Sequence, residues 1–232
     1  MKISQLIRAV ILLLTAAVIF LMPCASAEDI KEIPESWFDD AVFIGDSIVG
    51  SLGIEVLIDG GLGEAQILYV NGLSCCRMVE KGEKIPYMGR MHTIGETVEL
   101  SGANKVFLLF AMNDIGQTED VTVKLWDAVL AQIKEAAPDV RIFLMSGTPI
   151  YSEHGYFTNK NMLAYNEILK AECEKLDCVY VDITDGLSDE NGLLKKEFHK
   201  DAFHFTNAAC VQWIKNLKNP ENYSVDMSEE IE

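Results

Sequence analysis

Ala41-Val-Phe-Ile-Gly-Asp-Ser47 is the stretch whose reading decides the fold. The apolar run at its start reads as a strand buried on both faces, as strands in parallel sheets are. The run then enters a sharp turn that carries a serine. Near the other end of the chain, Asp201-Ala-Phe-His204 sets a carboxylate and an imidazole three residues apart. Serine, histidine and aspartate are together the parts of an activated nucleophile. Their separation in sequence implies a fold that brings the two ends of one domain together.

Further apolar runs have the same strand character: Gln66–Val70, Lys105–Phe110, Val140–Met145 and Cys178–Ile183. Helical patterns lie between them. Glu119–Ala136 carries Val121, Leu125, Ala128, Val129 and Ile133 at three- and four-residue spacing and stops short of Pro138. Asn161–Leu176 and Asn207–Leu217 repeat the pattern. Strands alternating with helices predict an α/β fold. In such a sheet the site lies at the carboxyl ends of the strands. Ser47, Gly72 and Asn113 follow the first three strands.

Lys2 and Arg8, the apolar run Ala9–Met22 and the small residues Ala25-Ser26-Ala27 read as a secretory signal over residues 1–27. The run is short of the ~20 residues that a spanning helix needs, which favours a cleaved signal over the alternative, an uncleaved anchor. Cleavage before Glu28 leaves 17 basic residues against 36 acidic ones. That balance argues against nucleic-acid binding, which rests on neutralising phosphates. The expected organisation is a lead-in over 28–39, one domain over 40–218, and a flexible acidic tail over 219–232. Cys75, Cys76, Cys173, Cys178 and Cys210 read as mostly buried thiols, and a Cys173–Cys178 bridge stays open. Neither their spacing nor that of the histidines fits a metal site, and no cofactor is expected.

In chemical terms, Ser47 needs a base, and His204 is the candidate. Asp201 would hold its other nitrogen. Acyl transfer also needs donors for a developing oxyanion. The Ser47 N–H, the Gly72 N–H and the Asn113 side-chain amide are the candidates. His199 is the rival base, and Asp182 and Asp185 are rival carboxylates. Ser47 and Asp46 can also be read as helix-cap and turn residues. Ser74 and Ser146 read as loop residues, and Gly60-Gly61-Leu62-Gly63 as a turn rather than a phosphate loop. Tyr151, His154, Tyr156 and Phe157 form an aromatic loop cluster that either lines a pocket or packs on itself.

In these residues the chain resembles the SGNH/GDSL hydrolase family. Gly45-Asp46-Ser47-Ile48 is similar to its first sequence block, Asn71-Gly72 to its second, Ala111-Met112-Asn113-Asp114 to its third and Asp201-Ala202-Phe203-His204 to its last. Two positions depart from the family pattern, Ala111 and Ala202 standing where glycine is usual. The resemblance implies a three-layer, doubly wound, flavodoxin-like sandwich of about five mostly parallel strands. It also implies a cofactor-free serine esterase with Ser47, Asp201 and His204 as catalytic residues. The expectation is a secreted esterase that removes short acyl groups, acetyl above all, from a glycan or other small ester. The alternatives are an acyltransferase on cell-wall or capsule glycans, and a non-catalytic glycan-binding module.

Overall fold

The computed structural model describes residues 31–201 and 203–231. The expected signal over 1–27, the start of the lead-in and Ala202 lie outside the described residues.

β1 (Ala41–Gly45) is buried at all five positions. It runs into α1 (Ser47–Asp59), β2 (Gln66–Tyr69) and α2 (Cys75–Lys81), then a hairpin of β3 (Ile85–Tyr87) and β4 (Arg90–His92). α3 (Ile94–Ser101), β5 (Lys105–Leu109), the single turn α4 (Ala111–Asp114) and α5 (Glu119–Ala136) follow. The last elements are β6 (Arg141–Met145), α6 (Asn159–Leu176), β7 (Val179–Val181) and α7 (Asn207–Lys218).

The central sheet has the order β2-β1-β5-β6-β7 with every pair parallel. This is the doubly wound, flavodoxin-like order, with the strand order reversing beside β1. The register aligns Phe43 with Phe107 and Phe107 with Phe143. Their rings stack at centroid distances of 4.5 and 4.4 Å, with nearly parallel planes. Trp37 meets Phe107 and Phe143 edge-on. One residue type at one register row thus locks three strands, because a one-residue slip would send each ring to the opposite face. Helix contacts form two groups, α1 with α7, and α5 with α2, α3 and α6. Among the described residues no helix is long and apolar enough to cross a membrane.

The five expected strands and three expected helices are all present, with bounds shifted by at most two residues. The domain is longer at both ends than the sequence suggests. Ile33 and Phe38 are buried, and the Ile33 N–H donates to the Lys218 carbonyl at 2.8 Å. The tail is a correction: residues 219–231 dock on β7 rather than hanging free. Val181 bridges Tyr223, the Ser224 N–H donates to the Tyr180 carbonyl at 2.9 Å, and the Tyr180 N–H donates back to Ser224 Oγ. Tyr223 and Met227 are buried, and Glu230 pairs with Arg141. The physical reason is that β7 is an edge strand whose backbone groups need partners. The five cysteines among the described residues are free thiols, so no Cys173–Cys178 bridge is present.

Candidate active site

The site begins where β1 ends. A Cβ at Gly45 would collide with Val49 and come within 2.7 Å of the Leu109 carbonyl, so the turn out of β1 excludes a side chain. Asp46 caps α1: its Oδ1 accepts from the Ile48 N–H at 2.8 Å. That leaves Ser47 as the first residue of the helix, half-buried at the carboxyl edge of the sheet.

His204 arrives from the loop before α7. Its Nε2 lies 2.9 Å from Ser47 Oγ, and its Nδ1 lies 2.8 Å from Asp201 Oδ2. Asp201 is fixed locally, since its Oδ1 accepts from the Phe203 N–H at 2.9 Å and the His204 N–H at 2.8 Å. Its partial burial works against ionisation. The two backbone donors and His204 outweigh that and hold the carboxyl down at about 2. An ionised Asp201 requires the proton on Nδ1, which leaves the Nε2 lone pair facing the serine hydroxyl.

Asn113 lies in the α4 turn after β5. Its Nδ2 donates to Asp46 Oδ2 at 2.8 Å and to the Leu73 carbonyl at 3.3 Å. Both amide hydrogens are therefore engaged, and offering one to an oxyanion means releasing the longer bond to Leu73. Asp114 braces the neighbouring segment, its Oδ2 accepting from the Cys75 N–H at 2.6 Å and its Oδ1 from the Cys76 N–H. Gly72 has φ +73°, and a Cβ there would lie 2.7 Å from Arg77 Nη1. That arginine binds the Gly72 carbonyl at 2.8 Å, which orients the peptide. Ala111 is accommodated by a glycine opposite it. A Cβ on Gly147 would lie 2.6 Å from the Ala111 methyl, so the space the family glycine would leave is taken from Gly147 instead.

Two of the rival groups, His199 and Asp182, have partners of their own. His199 Nδ1 lies 2.7 Å from the Asp201 carbonyl, and its ring stacks on Tyr151. Asp182 accepts from the Thr184 N–H and hydroxyl. Ser74 caps α2, and Ser146 Oγ holds the Ile183 N–H. The aromatic loop packs toward the histidine loop: Phe203 lies 5.2 Å from Phe157 and 5.5 Å from His154.

The Asp46–Asn113 bond has no signature in the local sequence of either residue. Asp46 is fully buried. Removal from water pushes its carboxyl up to about 7, against the lowering effect of the Ile48 N–H, the Asn113 amide and His204. Between 3.8 and about 7 the folded chain keeps a proton here that the unfolded chain has lost. Folding therefore becomes less favourable as pH rises through that window. Asp46→Asn has no proton to lose, and any fixed cost of its altered hydrogen bonding is independent of pH. Relative to the parent it should gain on the order of a few kcal/mol between about pH 4 and about pH 8. Urea unfolding of both proteins across that range checks this, and parallel stability curves would overturn it.

Beside Ser47 lies an open cavity of about 280 Å³ lined by Ile54, Tyr69, Asn71, Lys200 and His204. Among the described residues no group of three or more histidine, cysteine or carboxylate side chains is arranged to hold a metal ion.

The profile of the GDSL-like lipase/acylhydrolase family matches residues 85–209, which include Asn113, Asp201 and His204. No curated protein matches the sequence. Among solved structures, the chain is similar to a Streptococcus pneumonia protein provisionally assigned as a platelet activating factor. The TM-score is 0.61 at 22% identity, over 77% of this chain and 82% of that one. A GDSL-like lipase of Bacteroides thetaiotaomicron superposes with TM-score 0.61 at 15% identity, covering 80% and 88% of the two chains. The carbohydrate acetylesterase Est24 of Sinorhizobium meliloti gives 0.52 at 12% identity, covering 77% and 96%.

Proposed function

The chain belongs to the GDSL-like lipase/acylhydrolase family and is a carboxylic ester hydrolase, and from that premise we propose that it is an exported serine esterase removing short acyl groups, acetyl above all, from carbohydrate esters. The observation that carries the proposal is the continuous chain Asp201–His204–Ser47, with 2.8 and 2.9 Å links.

In this mechanism Ser47 Oγ attacks the ester carbonyl while His204 Nε2 takes its proton. The Ser47 N–H, the Gly72 N–H and the Asn113 amide receive the oxyanion. His204 then returns the proton to the leaving alcohol, and an acyl-enzyme remains. Water repeats the sequence with the same base and releases the acid. Ionised Asp201 stabilises the imidazolium in both halves. Export rests on Lys2, Arg8, the apolar run Ala9–Met22 and Ala25-Ser26-Ala27. The short-acyl preference draws support from the acetylesterase among the structural neighbours.

The test is steady-state hydrolysis of para-nitrophenyl acetate, butyrate and octanoate, run on the parent and on Asn113→Ala. The acetate should give the highest kcat/KM, and Asn113→Ala should lower turnover by ~10²–10³ as the loss of one oxyanion donor. A preference for octanoate would overturn the short-acyl reading. Unchanged turnover in Asn113→Ala would remove that amide from the oxyanion site.

A further inference from the structure

We infer that the cavity beside Ser47 is the subsite for the leaving alcohol, and that it is built for a single pyranose-type ring held against Tyr69. The inference rests on the esterase reading above and names a part of that site.

Its direction follows from proton transfer. His204 Nε2 must return its proton to the oxygen that leaves, so the alcohol lies on the histidine side of Ser47. The cavity is lined by His204, Asp201 and Lys200 on that side, whereas Gly72 and Asn113, the oxyanion candidates, do not line it.

Its chemistry follows from the walls. Tyr69, at the end of β2, is 46% exposed, and Ile54 on α1 is 48% exposed. Both turn apolar surface into a cavity of about 280 Å³. Tyr69 is held in place: a Cβ on Gly50 would lie 2.8 Å from its ring carbons, so the ring is seated directly on the α1 backbone. Between these apolar walls stand the side chains of Asn71, Ser51 and Lys200. A pyranose ring has apolar C–H faces and a polar hydroxyl edge, and it matches such a mixed lining. A long alkyl alcohol would make no use of the hydrogen-bonding groups of Asn71 and Lys200 that stand in this open cavity, whereas sugar hydroxyls can. A cationic head group would meet the Lys200 charge, while Asp201 is already committed to His204.

The experiment compares kcat/KM for a mono-O-acetylated methyl pyranoside, ethyl acetate and ethyl butyrate. The proteins are the parent, Tyr69→Ala, Tyr69→Leu, Asn71→Ala and, as a control on an exposed helix position that does not line this cavity, Leu163→Ala. Tyr69→Ala should lower the ratio of sugar acetate to ethyl acetate by on the order of 10-fold, the scale of one lost packing contact in a specificity pocket. Tyr69→Leu and Asn71→Ala should lower it less, and Leu163→Ala should leave it where it is. Asn71 is exposed, so it tests the subsite even if removal of the Tyr69 ring unfolds β2. An unmoved ratio in folded variants of both Tyr69 and Asn71 would overturn the subsite while leaving the esterase intact. A shift in the butyrate-to-acetate ratio instead would make the cavity an acyl pocket and also overturn it. A folded parent that turns over none of the three esters would overturn the esterase reading itself.

Discussion

Ser47→Ala and His204→Ala are each expected to lower ester turnover by ~10⁴-fold or more, and the double variant should be little worse than either single one. Groups that act as a unit lose their effect together, because a nucleophile without its base and a base without its nucleophile are equally idle. The 2.9 Å contact between Ser47 Oγ and His204 Nε2 makes the two such a unit. Neither change should threaten the fold. Ser47 is half-buried, and the α1 cap belongs to Asp46, which still accepts from the Ile48 N–H. Pre-steady-state hydrolysis of para-nitrophenyl acetate would show the difference most directly. The parent should release a burst of nitrophenol matching the enzyme concentration if deacylation is the slower half, and Ser47→Ala should release none. Retention of turnover within tenfold in Ser47→Ala would remove the serine mechanism. Additivity of the two losses would mean that His204 acts on some other group.

Much of this architecture is legible in the residues, for reasons that also mark where legibility stops. The strands of a parallel sheet are buried on both faces, so Ala41–Gly45, Lys105–Leu109 and Arg141–Met145 stand out as apolar runs. Glu119–Ala136 is long, periodic and closed by a nearby proline. The short elements carry too few turns for periodicity to speak. α2 has seven residues and the β3–β4 hairpin has three in each strand. α3 did leave a local signal, the capping box of Thr93 and Glu96. The docked tail is not legible, because its acidic composition hides Tyr223 and Met227, and because an edge strand's demand for partners is a tertiary fact. The same division runs through the site. Asp201 and His204 meet within one turn of loop, so their spacing alone suggests the pair. The bond from Asn113 to Asp46 spans 67 residues, and the fit of Ala111 against Gly147 joins separate loops. No local pattern encodes either of these.

Asp201→Asn should be as damaging as the loss of the side chain altogether, at ~10⁴-fold in kcat, although it is nearly isosteric. The reason lies in the two backbone donors. The Phe203 and His204 N–H groups bind Oδ1 at 2.9 and 2.8 Å, and only an oxygen can accept them. An asparagine must therefore keep its carbonyl there and present its NH₂ where Oδ2 now stands, 2.8 Å from His204 Nδ1. Two donors cannot face each other. The imidazole must then carry its proton on Nε2, pointing at Ser47, and has no lone pair with which to take the serine proton. Asp201→Ala lacks this enforced tautomer and should retain no less activity than Asp201→Asn. Because the Asp201 carboxyl is held down at about 2, it stays ionised across the working range. The acid limb of the parent's pH–rate profile therefore belongs to a different group. Measuring kcat/KM for both variants from about pH 5 to about pH 9, with ¹⁵N chemical shifts of His204 to report the tautomer, checks the chain of reasoning. An asparagine variant within tenfold of the parent, or one whose Nδ1 remains protonated, would show that Asp201 does not orient the base.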